Sequence, residues 1–572
     1  MSTWGQRVGL LALAAFLLFL GLGALGLTDR DEGSNAEAAR EMLESGNWIT
    51  PTLNGEPRFA KPVFVYWLMS GAYRLFGVSE FSARFSSALF GVALILLQHL
   101  FLTRVRGLVV GLFGALMLLL NAEMVAISRM ALTDSILIFF TTLSLYGFWL
   151  GLNGTGRERH WSWLFYIGMA IGTLTKGPIG IAVPLLGVIP YLTFTGKWPL
   201  FRRRGFPLTG LGVFLLIALP WYAVMLMIHG GRYTASAQAD TVGRFFNVIG
   251  GHGGTLFLYV PVLLVGFFPW SGLLPFALYH TVSHWWRTRK AQCKNGRDQP
   301  DDLDVFAAFW VIAVFIFFSL SATRMPHYIG PLFPAAALLT ASYWTRCLTY
   351  TQAPNVRAAL WTLMGIGYVL GLTLTASSSL YATFIGKIAK EFPMAAQVDP
   401  GWGPTTAGFV LLIGMAFVGY FGFTENRRAG AFWAAGATVV MVLLIAIQVI
   451  LPRFSRYFIS PPQELAYVAG VNLQPQEPFI LYGPPKPSLI FYAKHPAIVI
   501  RPGEEEKMRP SLRQPGRAMI LLPSRLKPQL PPEAGSFTTI LERYGYSLLA
   551  NEAMVHVPYS PPPTAGSHGL RP

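Results

Sequence analysis

About thirteen apolar stretches, each long enough to cross a bilayer as a helix, leave this chain few folds to choose from. They run over roughly 8–27, 83–103, 107–125, 132–150, 161–175, 178–196, 207–228, 256–281, 305–321, 329–345, 358–378, 405–423 and 431–452. Hydrocarbon offers no partner to a backbone N–H or C=O, so such stretches read as helices that satisfy their own groups. Only 12% of the 572 residues are charged, against about a quarter in soluble domains. The expected fold is a polytopic α-helical membrane protein. The first stretch follows only Arg7 and lacks a small-residue cleavage site, so it reads as a retained span.

Orientation follows from Lys and Arg, which gather on cytoplasmic loops. With the N-terminus inside, those loops carry Arg104 and Arg106, Arg157 and Arg159, and Lys197 with Arg202, Arg203 and Arg204. Arg287, Arg289, Lys290, Lys294 and Arg297 follow, then Arg346 and Arg357, and finally Arg427 and Arg428. Every inside loop is basic, and thirteen spans leave the C-terminus outside. Much of the net charge of +17 is therefore topological, scattered between spans rather than gathered for nucleic acid. The only two cysteines, Cys293 and Cys347, fall in or beside inside loops, which leaves no disulfide for exported parts. No inverted repeat of the transporter kind is visible.

Residues 1–452 form the membrane part, with an outer loop over 29–80. Beyond it, over 453–572, the pattern changes. Phe479–Tyr482, Ala497–Ile500 and Ala518–Leu522 read as short buried strands, with helix-like runs near Lys486–Ala493 and Glu504–Leu512. The alternation implies a small outer α/β domain, ending in a Pro- and Gly-rich disordered tail after Tyr559.

Chemistry concentrates on the outer face. Thr28-Asp29-Arg30-Asp31-Glu32 places three carboxylates beside the first span, where charge is expensive and tends to be functional. Ser34-Asn35-Ala36-Glu37 has the capping-box pattern, so a helix is expected from Ser34, closed by Gly46. Glu37, Glu41 and Glu44 read as charges that merely solvate the loop. Asn54-Gly55 signals a turn, and Arg58–Pro62 leads into an aromatic interfacial helix over Val63–Phe76. Lys61 sits at headgroup depth, a partner for a lipid phosphate. Asp134 opens the fourth span, as a second carboxylate or as a helix N-cap. Lys176 turns between the fifth and sixth spans, and Arg324, His327 and Tyr328 link the ninth and tenth. Arg-His-Tyr suits an anion, since Arg binds phosphate bidentately. Glu56, His229 and His252 are the weak candidates for a divalent metal, at a spacing that matches no metal motif.

These residues resemble one family. The acidic pair Asp31-Glu32, Arg58–Pro62, Arg129–Asp134, Leu174–Pro178, Met325–Tyr328 and Pro331–Pro334 look like the bacterial lipid A aminoarabinose transferases. Those belong to the protein-mannosyltransferase-like glycosyltransferases of the GT-C class, and the resemblance spans essentially the whole chain. It implies an enzyme that transfers 4-amino-4-deoxy-L-arabinose from undecaprenyl phosphate to a lipid A phosphate. The setting would be the periplasmic face of a bacterial inner membrane, in the lipopolysaccharide modification that underlies polymyxin resistance. Family members often carry Glu before the Lys-Pro pair where this chain has Ala60, so any role of that Glu, metal ligation included, does not carry over.

On this reading the leaving group is a lipid phosphate, neutralised first by Lys61, with Arg58, Lys176 and Arg324 as further cations. An ionised lipid A phosphate needs little deprotonation, so Asp31 orients the acceptor, stabilises an oxocarbenium-like centre or contacts the sugar amine. A hydroxyl acceptor makes it a general base instead. Asp134 and Glu32 complete the acidic set, and no nucleotide fingerprint is present. Two other readings compete: the same donor with a protein or glycan acceptor, and a polyprenyl-lipid flippase. The flippase needs function-critical charge on both faces and between them, whereas the distinctive acids here share one face.

Overall fold

The computed structural model describes residues 3–239, 243–248, 253–295, 302–349, 355–388, 398–424 and 427–552. The tail after Tyr559 lies outside them, as does His252. Helices dominate. The first half contains α1 (Thr3–Phe19), α2 (Asp31–Ser45), α3 (Phe64–Phe76), α4 (Glu80–Arg106), α5 (Leu108–Leu119), α6 (Ala122–Ser128) and α7 (Asp134–Asn153). There follow α8 (Ser162–Lys176), α9 (Ile179–Thr195), α10 (Trp198–Arg204), α11 (Pro207–Gln238), α12 (Arg244–Phe246), α13 (Tyr259–Gly266), α14 (Leu274–Asn295) and α15 (Leu303–Leu320). Then come α16 (Phe333–Thr349), α17 (Val356–Thr375), α18 (Ser377–Ile388), α19 (Trp402–Phe423), α20 (Arg428–Ile445), α21 (Leu451–Phe454), α22 (Ser460–Asn472) and α23 (Ser488–Ala493).

Among the described residues, seven helices are long and apolar enough to cross a membrane, or nine if each of two bent pairs is one span. α11 shows why this is a membrane protein. Leu208, Leu216 and Met227 on it are largely exposed, a surface that suits lipid and not water. The opposite requirement rules the centre, where α4, α5, α7, α15 and α16 bury Leu102, Phe148, Trp310 and Phe333. Two buried indoles at that depth are paired: Trp310 Nε1 donates to the Pro331 carbonyl at 2.8 Å, and Trp270 Nε1 to the Leu120 carbonyl at 3.0 Å. Arg129 donates to the carbonyls of Leu17, Leu18 and Leu20, satisfying groups that the end of α1 leaves open.

The outer loop departs from expectation at its start. The helix begins at Asp31 rather than Ser34, because Glu32 reaches back to accept from both Thr28 N (2.8 Å) and Thr28 Oγ1 (2.9 Å). Ser34 and Glu37 are therefore inside α2, and the Ser34–Glu37 capping box does not form. Nor is Glu37 a solvating charge: it is fully buried and paired with Arg40 at 2.7 Å, which also holds Glu44 at 2.5 Å. Glu41 accepts from Thr52, Asn54 and Gly55 and so fixes a hairpin. That hairpin pairs β1 (Thr52–Leu53) with β2 (Glu56–Pro57) through the expected Asn54-Gly55 turn, with φ of 57° and 78°. Gly46 closes α2 in the left-handed conformation, as its position foretells.

The C-terminal sheet has strands β3 (Phe479–Tyr482), β4 (Ala497–Ile500), β5 (Met519–Pro523), β6 (Thr538–Arg543) and β7 (Tyr546–Ala550) in the order β4-β3-β5-β7-β6. The first three are parallel and the hairpin β6–β7 adds antiparallel. β3 is buried on both faces, with Phe479 and Leu481 in one core and Ile480 and Tyr482 in another.

Candidate active site

Three helix ends meet at one apolar cavity of about 370 Å³. Asp134 is the first residue of α7, and Thr133 before it makes no side-chain cap, so Asp134 does not serve as an N-cap. Its carboxylate instead takes Lys176, the last residue of α8, with Lys176 Nζ 2.6 Å from Asp134 Oδ1. Lys176 also lies 4.8 Å from the Tyr328 ring centroid. His327, in the turn Pro326–Leu332 ahead of α16, brings Nε2 to 4.0 Å from Asp134 Oδ2. Burial pushes the His327 imidazole below its ordinary value of 6.5, although Asp134 pulls the other way. Lys61 lines the same cavity, and both Lys61 and Asp31 lie within Coulombic reach of His327. Of the expected acids and cations, Lys61, Asp134 and Lys176 thus line one cavity.

The rest of the cavity is apolar. Phe59, Leu137, Ile179, Tyr222, Phe246 and Phe318 supply much of its wall, drawn from six different segments. The sequence held one faint signal for these, the doubled aromatics Phe245-Phe246 and Phe317-Phe318, which nothing local separates from lipid-facing residues.

Three expected site residues stand elsewhere. Glu32 is buried beside Arg84, with Arg84 Nε 2.7 Å from its Oε1, and it also accepts from Ala131 N at 2.8 Å. Burial alone would raise its pKa; Arg84 outweighs that and holds it below the usual glutamate range. Arg84 in turn donates to the carbonyls of Leu22, Leu25 and Gly26, so the pair ties the exit of α1 to α2 and α4. Arg324 donates to the carbonyls of Ser319 and Gly254 and does not line the cavity. Arg58 donates to Tyr66 Oη at 3.1 Å and to Asn35 Oδ1 at 3.4 Å and is not among the residues lining the cavity. Asn35, unremarked in the sequence, also donates to Ala131 O at 3.1 Å and so couples Arg58 to the segment before Asp134.

Of the metal candidates, His252 lies outside the described residues. Glu56 is on the exposed hairpin, and His229 Nε2 faces Thr50 Oγ1 at 2.9 Å. Among the described residues no three His, Cys, Asp or Glu side chains are grouped to hold an ion. No step below is routed through a metal.

The backbone before the site is strained. Arg30 has φ 70° and ψ −85°, a region that costs a non-glycine residue about 1–3 kcal/mol and persists only where neighbours fix it.

Residues 10–232 match the dolichyl-phosphate-mannose-protein mannosyltransferase family. The undecaprenyl phosphate-alpha-4-amino-4-deoxy-L-arabinose arabinosyl transferase of Edwardsiella ictaluri (strain 93-146) is 28% identical over 450 residues, 78% of this chain and 76% of its own length. Its namesake from Yersinia enterocolitica serotype O:8 / biotype 1B is 27% identical over 453 residues, 77% of this chain and 76% of its own. The crystal structure of ArnT from Cupriavidus metallidurans bound to undecaprenyl phosphate has the same fold, with a TM-score of 0.78 at 23% identity. That likeness covers 97% of this chain and 100% of the other.

Proposed function

We infer that this chain, a GT-C glycosyltransferase of the aminoarabinose-transferase group, moves 4-amino-4-deoxy-L-arabinose from undecaprenyl phosphate to a phosphate of lipid A. The observation that carries the reading is two lysines, Lys61 and Lys176, at one apolar cavity. A polyprenyl phosphate has that same division, an anionic head on a hydrocarbon tail.

In the reaction the bond between the anomeric carbon and the donor phosphate oxygen breaks, and an oxygen of the acceptor phosphate takes its place. Charge grows on the departing polyprenyl phosphate, where Lys61 and Lys176 neutralise it. Asp134 holds Lys176 in place by their 2.6 Å contact, and Tyr328 presents its ring to the same cation. His327 and Asp31 complete the polar end. The acceptor phosphate is already ionised, so Asp31 acts as an electrostatic anchor for the cationic sugar or its oxocarbenium-like centre. Arg58 and Arg324 serve the site from outside the wall: Arg58 through Asn35, Arg324 through the backbone that frames Phe318. Glu32 is a framework residue of the loop.

The same reading gives thirteen spans over residues 1–452 with the N-terminus cytoplasmic. It places the loop 29–80 and the α/β domain of 453–572 on the periplasmic side of the inner membrane. Seven to nine helices of spanning character and basic loops at Arg104, Arg159 and Arg203 support that placement.

The test uses purified protein, synthetic undecaprenyl-phosphate aminoarabinose and lipid A, scored by lipid mass spectrometry. Wild type adds aminoarabinose to lipid A, whereas Lys61→Ala and Asp31→Asn do so far more slowly. Equal product from all three would sink the site assignment, and glycosylated protein in place of modified lipid A would move the acceptor.

A further inference from the structure

The first outer loop is held from below by the membrane helices and from the side by the C-terminal α/β domain. The second set of contacts is unusually specific. Ser488 N–H, at the start of α23, donates to Asp29 Oδ1 at 3.1 Å, and Lys486 Nζ lies 3.9 Å from Asp29 Oδ2. Lys486 is itself fixed, donating to Tyr546 Oη at 3.0 Å on β7. Gly33, in the first turn of α2, packs so closely on Ser488 that an added Cβ would fall 2.6 Å from the Ser488 nitrogen. Around this point Tyr492 Oη accepts from Leu27 N–H at 3.0 Å and donates to Glu80 at 2.8 Å. Gln463 Nε2 donates to Leu27 O at 2.6 Å. Further out, Asn54 and Ala497 exchange two bonds, of 2.7 and 2.9 Å.

Between Asp29, which the α/β domain grips, and Asp31, which lies within Coulombic reach of His327, lies one residue. That residue is Arg30, in its strained conformation. A non-glycine residue at φ 70° relaxes unless both neighbours are fixed. Downstream, Asp31 begins α2, whose first turn is pinned by Glu32 on Arg84. Upstream, Asp29 is held by Ser488 and Lys486, and Thr28 before it by Glu32 and Gly33 within the loop itself.

We propose that Asp29 is a positioning residue through which the C-terminal α/β domain sets the turn that carries Asp31. The domain then acts on the chemical step through the turn that carries Asp31, while its other hold on the loop, the Asn54–Ala497 pair, is on the hairpin before Lys61, and Lys176 stands at the end of α8 beside Asp134. This rests on the transferase reading above, and its test is built to be separable from it.

Two measurements on the full-length protein decide it. In sugar transfer, Asp29→Ala should lower kcat by about 10- to 100-fold, the size expected of a small misplacement of a reacting group, with donor KM little changed. Asp29→Asn keeps an acceptor for Ser488 N–H and should retain most of the rate, while Lys486→Ala should fall between. In hydrogen–deuterium exchange, the peptide around residues 27–36 should open in Asp29→Ala and Lys486→Ala but not in Asp29→Asn. Exchange needs no substrate, so it reads the clasp even if the wild type transfers a different sugar or none. Slow opening in Asp29→Ala equal to wild type would overturn the proposal. So would a loss that appears in KM alone, or one that Asp29→Asn suffers as fully as Asp29→Ala. Asp29→Asn and Lys486→Ala keep the question answerable if Asp29→Ala fails to fold.

Discussion

Lys176 Nζ lies 2.6 Å from Asp134 Oδ1, so the end of one buried helix neutralises the start of another at the wall of the cavity. Both side chains are nearly withdrawn from solvent, at 12% and 4% exposure. Removing either alone leaves a stranded charge, which costs about 3–5 kcal/mol, whereas replacing both by apolar groups is close to neutral. Lys176→Met and Asp134→Leu should each lower the melting temperature sharply, and the double variant should recover it. Transfer should stay lost in all three, because the phosphate cation is gone or unplaced. A double variant that regained activity with its stability would make the pair purely structural.

The cavity wall gives an independent handle on the donor. Ala182, on α9, lines the cavity without touching its charged end. Ala182→Trp should fill part of the space meant for the lipid tail. Each buried CH₂ is worth about 0.8 kcal/mol, so exclusion of even two carbons should weaken donor binding about tenfold. Steady-state kinetics should show a raised donor KM with kcat largely preserved. A shortened, water-soluble donor should feel the change less, and equal sensitivity to both donors would place the tail elsewhere.

The sequence carried some of this and not the rest, for reasons that differ by residue. Asn54-Gly55 and Gly46 were legible because positive φ is a local demand that few residues meet. The strands at Phe479, Ala497 and Met519 were legible because an apolar run of four or five bounded by turns has little else to be. The hairpin β6–β7 was not, since Thr538-Thr539-Ile540-Leu541-Glu542-Arg543 mixes polar and apolar residues on an edge. Glu37 was misread because its charge says nothing of Arg40 folding over it, and Glu32 because the partner, Arg84, lies 52 residues away. Lys61, Asp134 and Lys176, which line one cavity, were legible because each stands beside an apolar stretch. The aromatic wall was not, because in a membrane protein a buried Phe and a lipid-facing Phe share one sequence signature.

His327 gives the site a pH dependence with a definite sign. Burial holds its imidazole below the ordinary 6.5, so the folded protein keeps it neutral where the unfolded chain would take a proton. This stabilisation is complete above 6.5 and is lost as pH falls through the folded value. His327→Gln removes the titrating group and should flatten that part of the stability curve. Melting temperatures measured stepwise below pH 6.5 should therefore converge for wild type and variant on the acid side, relative to their separation at neutral pH. Parallel curves would mean that the ring is already solvated.

Glu32 and Arg84 make the opposite test, of framework against chemistry. Arg84 Nε is 2.7 Å from Glu32 Oε1, both side chains are buried, and neither lines the cavity. Because the folded pKa of Glu32 lies below the ordinary 4.5, the pair's contribution is fully present above 4.5 and is lost as pH falls through the folded value. Glu32→Gln leaves Arg84 without its countercharge, at a cost of about 3–5 kcal/mol. At neutral pH the variant should melt well below wild type, and the gap should narrow once the solution is acid enough to protonate Glu32. Transfer per folded molecule should survive, since the Gln amide oxygen still accepts from Ala131 N–H or from Thr28 N–H, keeping one of the two anchors. A Glu32→Gln protein that melts like wild type yet transfers no sugar would return this carboxylate to the reaction itself.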